Sequence, residues 1–322
     1  MNLYEEIKKL EPITLACHDD ADGLYSATLI RRLFNVKNVS IPKLFGDYAT
    51  QMIYNDKVKT NVAVDLGAPL DNSYDGIVFD HHPNHPDDRK YKLIWDTCPT
   101  GLVIYNQFKE YIKPEDTWLV IGSLCGDGQP ELVPDEIWKV NPSLLEGRGY
   151  MKEYGGKLYA GTYPIFTSLS SGINSLHRLG FPEQALNLLD NVRDPMELLE
   201  NSEIRDAQER VRQEEATVMK NKPMVEAVDK WITLARIKTS KPDIKLGGIF
   251  GAKLSSVDNS KTYIVLNEAS GDVSIRGTFA KYVCNQLNNM GYKAGGHAGF
   301  AGCNIDMLKI PQFIKDVRKI RL

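Results

Sequence analysis

The chain has 322 residues, 42% hydrophobic and 25% charged, with a formal net charge of -3; this is the range of a soluble globular protein with room for two domains. The slight negative balance argues against a wholly electrostatic, non-specific nucleic-acid binder, although 39 Lys and Arg allow a local basic groove. Five cysteines (Cys17, Cys98, Cys125, Cys284 and Cys303) contain no Cys-x-x-Cys pair, which argues against a zinc ribbon or a disulfide framework and suits reduced thiols in a cytoplasmic protein.

Residues 1–12 are charged and lack the apolar core of a signal peptide. No run approaches the roughly 18 apolar residues of a membrane span. Residues 13–17 form a short apolar run with a β-branched start and read as a strand. Residues 22–34 place Leu24, Ala27, Leu29, Ile30 and Leu33 at helical spacing. Residues 39–42 predict a weak strand ending at Pro42. Residues 61–66 and 76–79 read as short apolar strands, and 101–111 and 117–124 as helices. Strands separated by helices imply an α/β fold, with a mostly parallel sheet carrying helices on both faces.

Residues 147–163, rich in Gly, Tyr and Lys, read as loops. Residues 166–189 predict a helix with Ile173, Leu176 and Leu179 on one side. Asp194-Pro195 opens another, with Pro in its first turn. Residues 196–220, dense in Glu, Arg and Gln, predict a solvated connecting helix that Pro223 closes. A smaller α/β unit follows, with strands at 231–235, 262–266 and 273–275 and helices at 279–290 and 313–320. The expected division is a first domain over 1–195, a helical linker over 196–227 and a second domain over 228–322.

Polar ligands in such sheets gather beyond the carboxyl ends of strands. His18 follows Cys17, Asp65 follows Val64 and Asp80 follows Phe79, so three separate strands end on acid or imidazole groups. His18, Asp20 and Asp22 alternate along one run, Asp80-His81-His82 forms another, and Asp127 sits between two glycines. Clustered carboxylates repel one another, and a divalent cation resolves that repulsion. Mixed Asp and His ligands suit Mn²⁺, with Mg²⁺, Fe²⁺, Co²⁺ or Zn²⁺ as substitutes. Two cations about 3.5–4 Å apart could share a carboxylate and generate a hydroxide that attacks phosphorus in line.

The ordered motifs resemble those of the DHH phosphoesterase family with a C-terminal DHHA1 domain. They are His18-Asp19-Asp20-Ala21-Asp22-Gly23, Val64-Asp65-Leu66-Gly67, Asp80-His81-His82, Gly126-Asp127 and, far downstream, Gly295-Gly296-His297 with Ala301-Gly302. The His-x-Asp-x-Asp spacing is shorter than that of some bacterial members. The resemblance implies that His18, Asp20 and Asp65 hold one cation and that Asp22, Asp65, His81 and Asp127 hold the other, with Asp65 bridging. His82 would touch the substrate phosphate or support the cage, and Asp80 would orient an imidazole. His85 and His177 are expected outside the ligand set.

In the second domain, Ser274 and Arg276 share a strand face and resemble the serine and arginine that DHHA1 domains use on substrate. Gly295 and Gly296 would let backbone approach a ligand and form an anion-binding nest, with His297 donating to a phosphoryl oxygen. Arg178 is a further substrate candidate. Two lobes joined by a polar segment imply a cleft, with metals on one wall and an anion clamp on the other.

The layout looks most like archaeal RecJ-like exonucleases, including the helicase-associated nuclease group. That implies 3′-to-5′ exonuclease action on single-stranded DNA or RNA, a DNA helicase as partner, no membrane association, and room for a homo-oligomer. The alternatives are a nanoRNase or small-nucleotide phosphodiesterase acting on very short RNA, 3′-phosphoadenosine 5′-phosphate or a cyclic dinucleotide, and a non-catalytic binding subunit of a replication or repair assembly.

Overall fold

The computed structural model describes residues 2–41, 60–67, 74–83, 85–154, 157–297 and 299–322; of residues 148, 150–154, 157–160 and 297 only the backbone is described. Among these, residues 2–41, 60–177 and 181–208 cluster as one compact unit, and 178–180 with 209–322 as another. The architecture is mixed α/β, with a parallel sheet flanked by helices in the first unit and a second sheet in the other.

After a short helix, α1 (Leu3–Lys8), the first unit builds a five-stranded sheet from β1 (Ile13–Cys17), β2 (Val36–Ser40), β3 (Val62–Val64), β4 (Ile77–Asp80) and β5 (Lys92–Trp95). The order is β2-β1-β3-β4-β5, and every pair is parallel. β2 starts at Val36, earlier than its sequence suggests, and the expected stop at Pro42 lies outside the described residues.

The register matters most at the carboxyl edge. Cys17 lies opposite Val64, and Val64 opposite Phe79. The residues that follow, His18, Asp65 and Asp80, therefore emerge side by side on three adjacent strands.

Helix α2 (Ala21–Leu33) leaves this edge and is buried along its first ten residues. It packs against α3 (Thr100–Phe108) and α4 (Trp118–Gly126). Tyr25 and Trp118, both wholly buried, meet edge to face at 5.9 Å. Each Leu or Ile buried as fully as Leu24, Leu29 and Ile30 stabilises the unit by about 1.5–3 kcal/mol. A smaller apolar cluster contains Ala16, Ala63, Leu66, Tyr74, Val78 and Tyr91.

Three sequence expectations are corrected. Residues 147–163 are not loops: β6 (Gly147–Tyr154) and β7 (Lys157–Pro164) form a two-stranded antiparallel sheet, after the short α5 (Asp135–Val140). The tyrosines at 150, 154, 159 and 163 are strand-forming residues whose signal the glycine content obscured. The helix expected over 166–189 is two, α6 (Thr167–Arg178) and α7 (Pro182–Asn191). Gly180 takes φ +81°, and Pro182 opens the next helix, a stop and a start that suit glycine and proline.

The segment expected as one solvated helix is α8 (Pro195–Glu200), capped by Asp194, and α9 (Ser202–Lys220). Helix α9 buries Ile204, Ala207, Val211 and Val218 on one stripe, with Glu214 among them accepting hydrogen bonds from the Ser240 amide and hydroxyl. The boundary between units falls inside this helix.

The second unit is a six-stranded sheet of β8 (Met224–Ala227), β9 (Ile232–Ile237), β10 (Thr262–Asn267), β11 (Asp272–Arg276), β12 (Gly295–His297) and β13 (Phe300–Asn304), in the order β12-β13-β11-β10-β9-β8. Only β9 and β10 run parallel, and α10 (Gly247–Val257) supplies the crossover that a parallel pair requires. Along β11, Val273 and Ile275 join the core formed with α11 (Ala280–Asn289) and α12 (Ile310–Val317). By strand alternation Ser274 and Arg276 face the other way, toward α10.

Candidate metal centre

Four segments of the first unit deliver acids and imidazoles to one edge of the parallel sheet. His18 and Asp20 lie in the turn between β1 and α2, and Asp20 caps α2 by accepting from the Gly23 amide at 3.2 Å. Asp22 lies in the first turn of α2. Asp65 follows β3 with φ +59° and is 2% exposed. His81 and His82 follow β4, and Asp127 caps the end of α4.

Three groups of potential ligand atoms result, each within 4.8 Å internally: His18, Asp20 and Asp65; Asp65, His81 and His82; Asp22, His81 and Asp127. His18 Nδ1 lies 3.0 Å from Asp20 Oδ2 and 3.8 Å from Asp65 Oδ2. His81 Nε2 lies 3.3 Å from both Asp65 Oδ1 and Asp127 Oδ2, and 3.8 Å from Asp22 Oδ2. Asp65 and His81 each belong to two groups, so the clusters are continuous.

Asp22 is wholly buried and held by four donors. Its Oδ2 accepts from the Thr100 amide at 2.9 Å; its Oδ1 accepts from the Ser123 hydroxyl at 2.5 Å, the Ser26 hydroxyl at 3.2 Å and the Gly101 amide at 3.3 Å. The Thr100 hydroxyl donates to Asp65 Oδ1 at 3.3 Å. The amino end of α3 thus aims its amides at the acids, where a helix favours negative charge.

The electrostatics are those of acids short of positive charge. Burial, then the Asp22 and Asp20 charges, raise the Asp65 carboxyl well above its ordinary range. Burial and the same two acids push Asp127 up to about 7. Burial also raises Asp22. Asp20 goes the other way: burial opposes its ionisation, but the His18 charge and hydrogen bond outweigh it and hold the carboxyl low. His18 rises well above the ordinary imidazole value, because the Asp20, Asp19 and Asp65 charges overcome its burial.

Asp127 Oδ2 is buried without a hydrogen-bond donor. An orphaned carboxylate oxygen beside an imidazole, among acids that burial disfavours as anions, is a donor set that fits divalent cations.

Asp80 and His85 lie behind the cluster. Asp80 Oδ1 is 2.8 Å from His82 Nδ1, and Asp80 Oδ2 is 2.8 Å from His85 Nε2. Burial opposes the Asp80 charge, but the two imidazoles outweigh it and hold the carboxyl low. The Asp80 charge in turn overcomes burial and pushes His82 up to about 9.

Sequence reasoning missed Thr100, Ser123, Asn174 and His177 as neighbours of the site. Asn174 Oδ1 accepts from the Ala21 amide at 3.1 Å, and His177 Nδ1 lies 3.3 Å from Asp19 Oδ1. Pro99-Thr100-Gly101 at a helix start was a readable signal for Thr100. Nothing local marks the other three.

The candidates for substrate contact lie in the second unit. The Arg276 guanidinium sits 4.5 Å over the Phe300 ring, and a Cβ on Gly248 would meet Arg276 Nη2 at 3.2 Å and Ser274 Oγ at 4.0 Å. Gly295 and Gly296, expected to form an anion-binding nest, are strand residues at the edge of the second sheet. They lie in β12, paired with Gly302 and Ala301. Gly296 adopts φ +138°, and a Cβ there would sit 2.3 Å from the Phe300 carbonyl oxygen, so close strand pairing accounts for this glycine. His297 pairs through its backbone with Phe300; its side chain lies outside the described residues. Arg178 ends α6, and its carbonyl accepts from the Lys245 amide at 2.9 Å.

No protein-family model and no curated protein matches the sequence. Solved structures do match. Over 98% of this chain, RecJ in complex with Mn²⁺ from Thermus thermophilus superposes with a TM-score of 0.64 at 17% identity, and the match spans 53% of that chain, about half its length. An exonuclease RecJ bound to manganese gives 0.63 at 18% identity over 98% of this chain and 91% of its own. The DHH domain of a protein described as a member of a ribosomal-protein family gives 0.63 at 14% over 98% and 88%. The chain therefore has the fold of RecJ and DHH-domain proteins.

Proposed function

We propose that the chain is a metal-dependent phosphodiesterase that removes nucleotides from the 3′ end of single-stranded DNA or RNA. The observation that carries this reading is the convergence of His18, Asp20, Asp22, Asp65, His81 and Asp127 into overlapping groups at ligand distances. His18, Asp20 and Asp65 would hold one divalent cation and Asp22, Asp65, His81 and Asp127 a second, with Mn²⁺ favoured over Mg²⁺, Co²⁺, Fe²⁺ or Zn²⁺. Such ions supply Lewis-acid charge, which acidifies water and offsets charge on phosphoryl oxygens.

The protein's own contribution is placement. Thr100, Gly101, Ser26 and Ser123 hold Asp22 so that one side of its carboxylate stays directed at His81. His82 has its Nδ1 engaged by Asp80, and its opposite ring edge would donate to a phosphoryl oxygen. In the second unit, Ser274 and Arg276 offer a hydroxyl and a forked guanidinium suited to phosphate. The fold shared with RecJ supports a nucleic-acid substrate. The 3′-to-5′ polarity and a helicase partner rest on the resemblance of the motif set to archaeal DHH exonucleases.

The test is incubation of the purified protein and Mn²⁺ with 5′-labelled single strands of graded length. A ladder of progressively shortened labelled products is expected. Immediate release of labelled mononucleotide would reverse the polarity. Cleavage confined to the shortest oligomers would make the protein a nanoRNase. Binding without cleavage of any phosphoester would make it a non-catalytic subunit.

A further inference from the structure

Behind the cluster, a chain of hydrogen bonds runs from His82 through Asp80 and His85 to Tyr91. Asp80 is wholly buried and Tyr91 is 3% exposed, while the His85 side chain is 4% exposed. His82 Nδ1 and His85 Nε2 each lie 2.8 Å from a different oxygen of Asp80, and His85 Nδ1 lies 2.7 Å from the Tyr91 hydroxyl.

A carboxylate only accepts, so both ring nitrogens facing it carry hydrogen. In the neutral His85 ring, Nδ1 is then an acceptor and the Tyr91 hydroxyl donates to it. Tyr91 then donates to His85, and His85 and His82 both donate to Asp80. Tyr91 is itself fixed, because its ring packs 6.0 Å from that of Tyr74 in the small core with Val78. The Trp95 indole donates to the His82 carbonyl at 2.8 Å and pins the backbone of the same residue.

We propose that His85 and Tyr91 are positioning residues for His82: they clamp one oxygen of Asp80, so that the other accepts from His82 Nδ1–H, fixes the ring plane and leaves Nε2–H turned toward the substrate phosphate. Neither residue contributes to the three ligand groups. The inference rests on the phosphodiesterase reading only for what His82 touches; the clamping itself is independent of it.

Three variants test the clamp. His85→Leu removes the donor to Asp80, His85→Gln keeps an N–H of similar reach, and Tyr91→Phe removes only the last hydroxyl. With Mn²⁺ and a single-stranded oligonucleotide, His85→Leu should lower kcat roughly 10–100-fold, the usual cost of losing a partner that orients an imidazole. KM and Mn²⁺ stoichiometry should stay unchanged, and His85→Gln should restore most of the rate. In nitrogen-15 histidine spectra, the slowly exchanging His82 Nδ1 proton should be present in the wild type and His85→Gln, lost in His85→Leu, and faster to exchange in Tyr91→Phe.

A folded His85→Leu variant with wild-type kcat and an intact His82 signal would overturn the proposal. So would equal loss in the Gln and Leu variants alongside equal loss of melting temperature, which is the mark of packing alone. If His85→Leu does not fold, the Gln and Phe variants decide the matter by the same signal. If the wild type cleaves no phosphodiester, the function proposed above fails, and the His82 proton signal still accepts or rejects the clamp.

Discussion

Asp65 shows how one residue can carry a site. A strand continuing past Val64 would turn the next side chain to a sheet face. The left-handed conformation at Asp65, uncommon outside glycine but tolerated by Asp and Asn, aims it along the sheet edge instead. Asp65→Asn keeps both the shape and the backbone preference, which alanine would not. Metal-dependent turnover should fall by roughly 1,000-fold or more in that variant while the fold persists, because loss of the ligand proposed to be shared would remove several kcal/mol of charge stabilisation. Wild-type turnover by Asp65→Asn would remove Asp65 from the site.

The same cluster predicts how stability follows pH. In the metal-free protein burial and the neighbouring acids push Asp127 up to about 7 against an ordinary 3.8, so its folded form binds the proton more tightly, and the stability this gives is lost as pH rises from about 4 to 7. His82 titrates at about 9 against 6.5, so its stabilisation is complete below 6.5 and is lost as pH rises through 9. Both have the same sign. Asp20 and Asp80, held low, act in the opposite sense only under strongly acid conditions. The melting temperature in EDTA should therefore fall between about pH 6 and 9, and saturating Mn²⁺ should oppose that fall. A metal-free melting temperature that is flat or rising over this range would contradict the assignment.

At the scale of elements, the amino end of α3 supports the acids, and Gly101 allows it to do so. A Cβ there would lie 2.3 Å from Ser123 Oγ, and both residues donate to Asp22. Gly101→Ala should cost about 1–3 kcal/mol by overpacking and weaken Mn²⁺ binding; denaturant unfolding and a calorimetric Mn²⁺ titration would show both, and parity with wild type in the two would refute the role. The elements that carry most of the clustered acids and imidazoles, β1, β3, β4 and α2, were legible because each is an apolar run bounded by a polar group. Helix α10 was not legible. It begins Gly247-Gly248, a poor helix start by propensity, and exists where it does because Gly248 and Gly251 let Arg276 lie against it. β12 and β13 were hidden by their glycines for a similar reason. In α9 the dense charge drew attention from the apolar stripe at Ile204, Ala207, Val211 and Val218.

For the whole molecule, the acid cluster belongs entirely to the first unit. Mn²⁺ at about 100 times its Kd should stabilise that unit by about 2.7 kcal/mol. Hydrogen exchange resolved by peptide should show slowed exchange around residues 18–24, 62–66, 79–82 and 99–103, with the core strands of the second unit unchanged. Equal protection of both units would place the cation elsewhere.

The sequence by itself determined the α/β class and singled out the acids and imidazoles that end its strands, because hydrophobic periodicity and the chemistry of clustered carboxylates are local properties. It could not say that β6 pairs with β7 or that α9 buries one face. Nor could it say which oxygen faces which nitrogen, that Thr100, Gly101 and Ser123 satisfy Asp22, or that His85 and Tyr91 stand behind Asp80. Those features depend on strand register and helix contact between residues as many as 101 positions apart, as in the Ser123–Asp22 hydrogen bond, and only the packed tertiary structure brings such residues within reach.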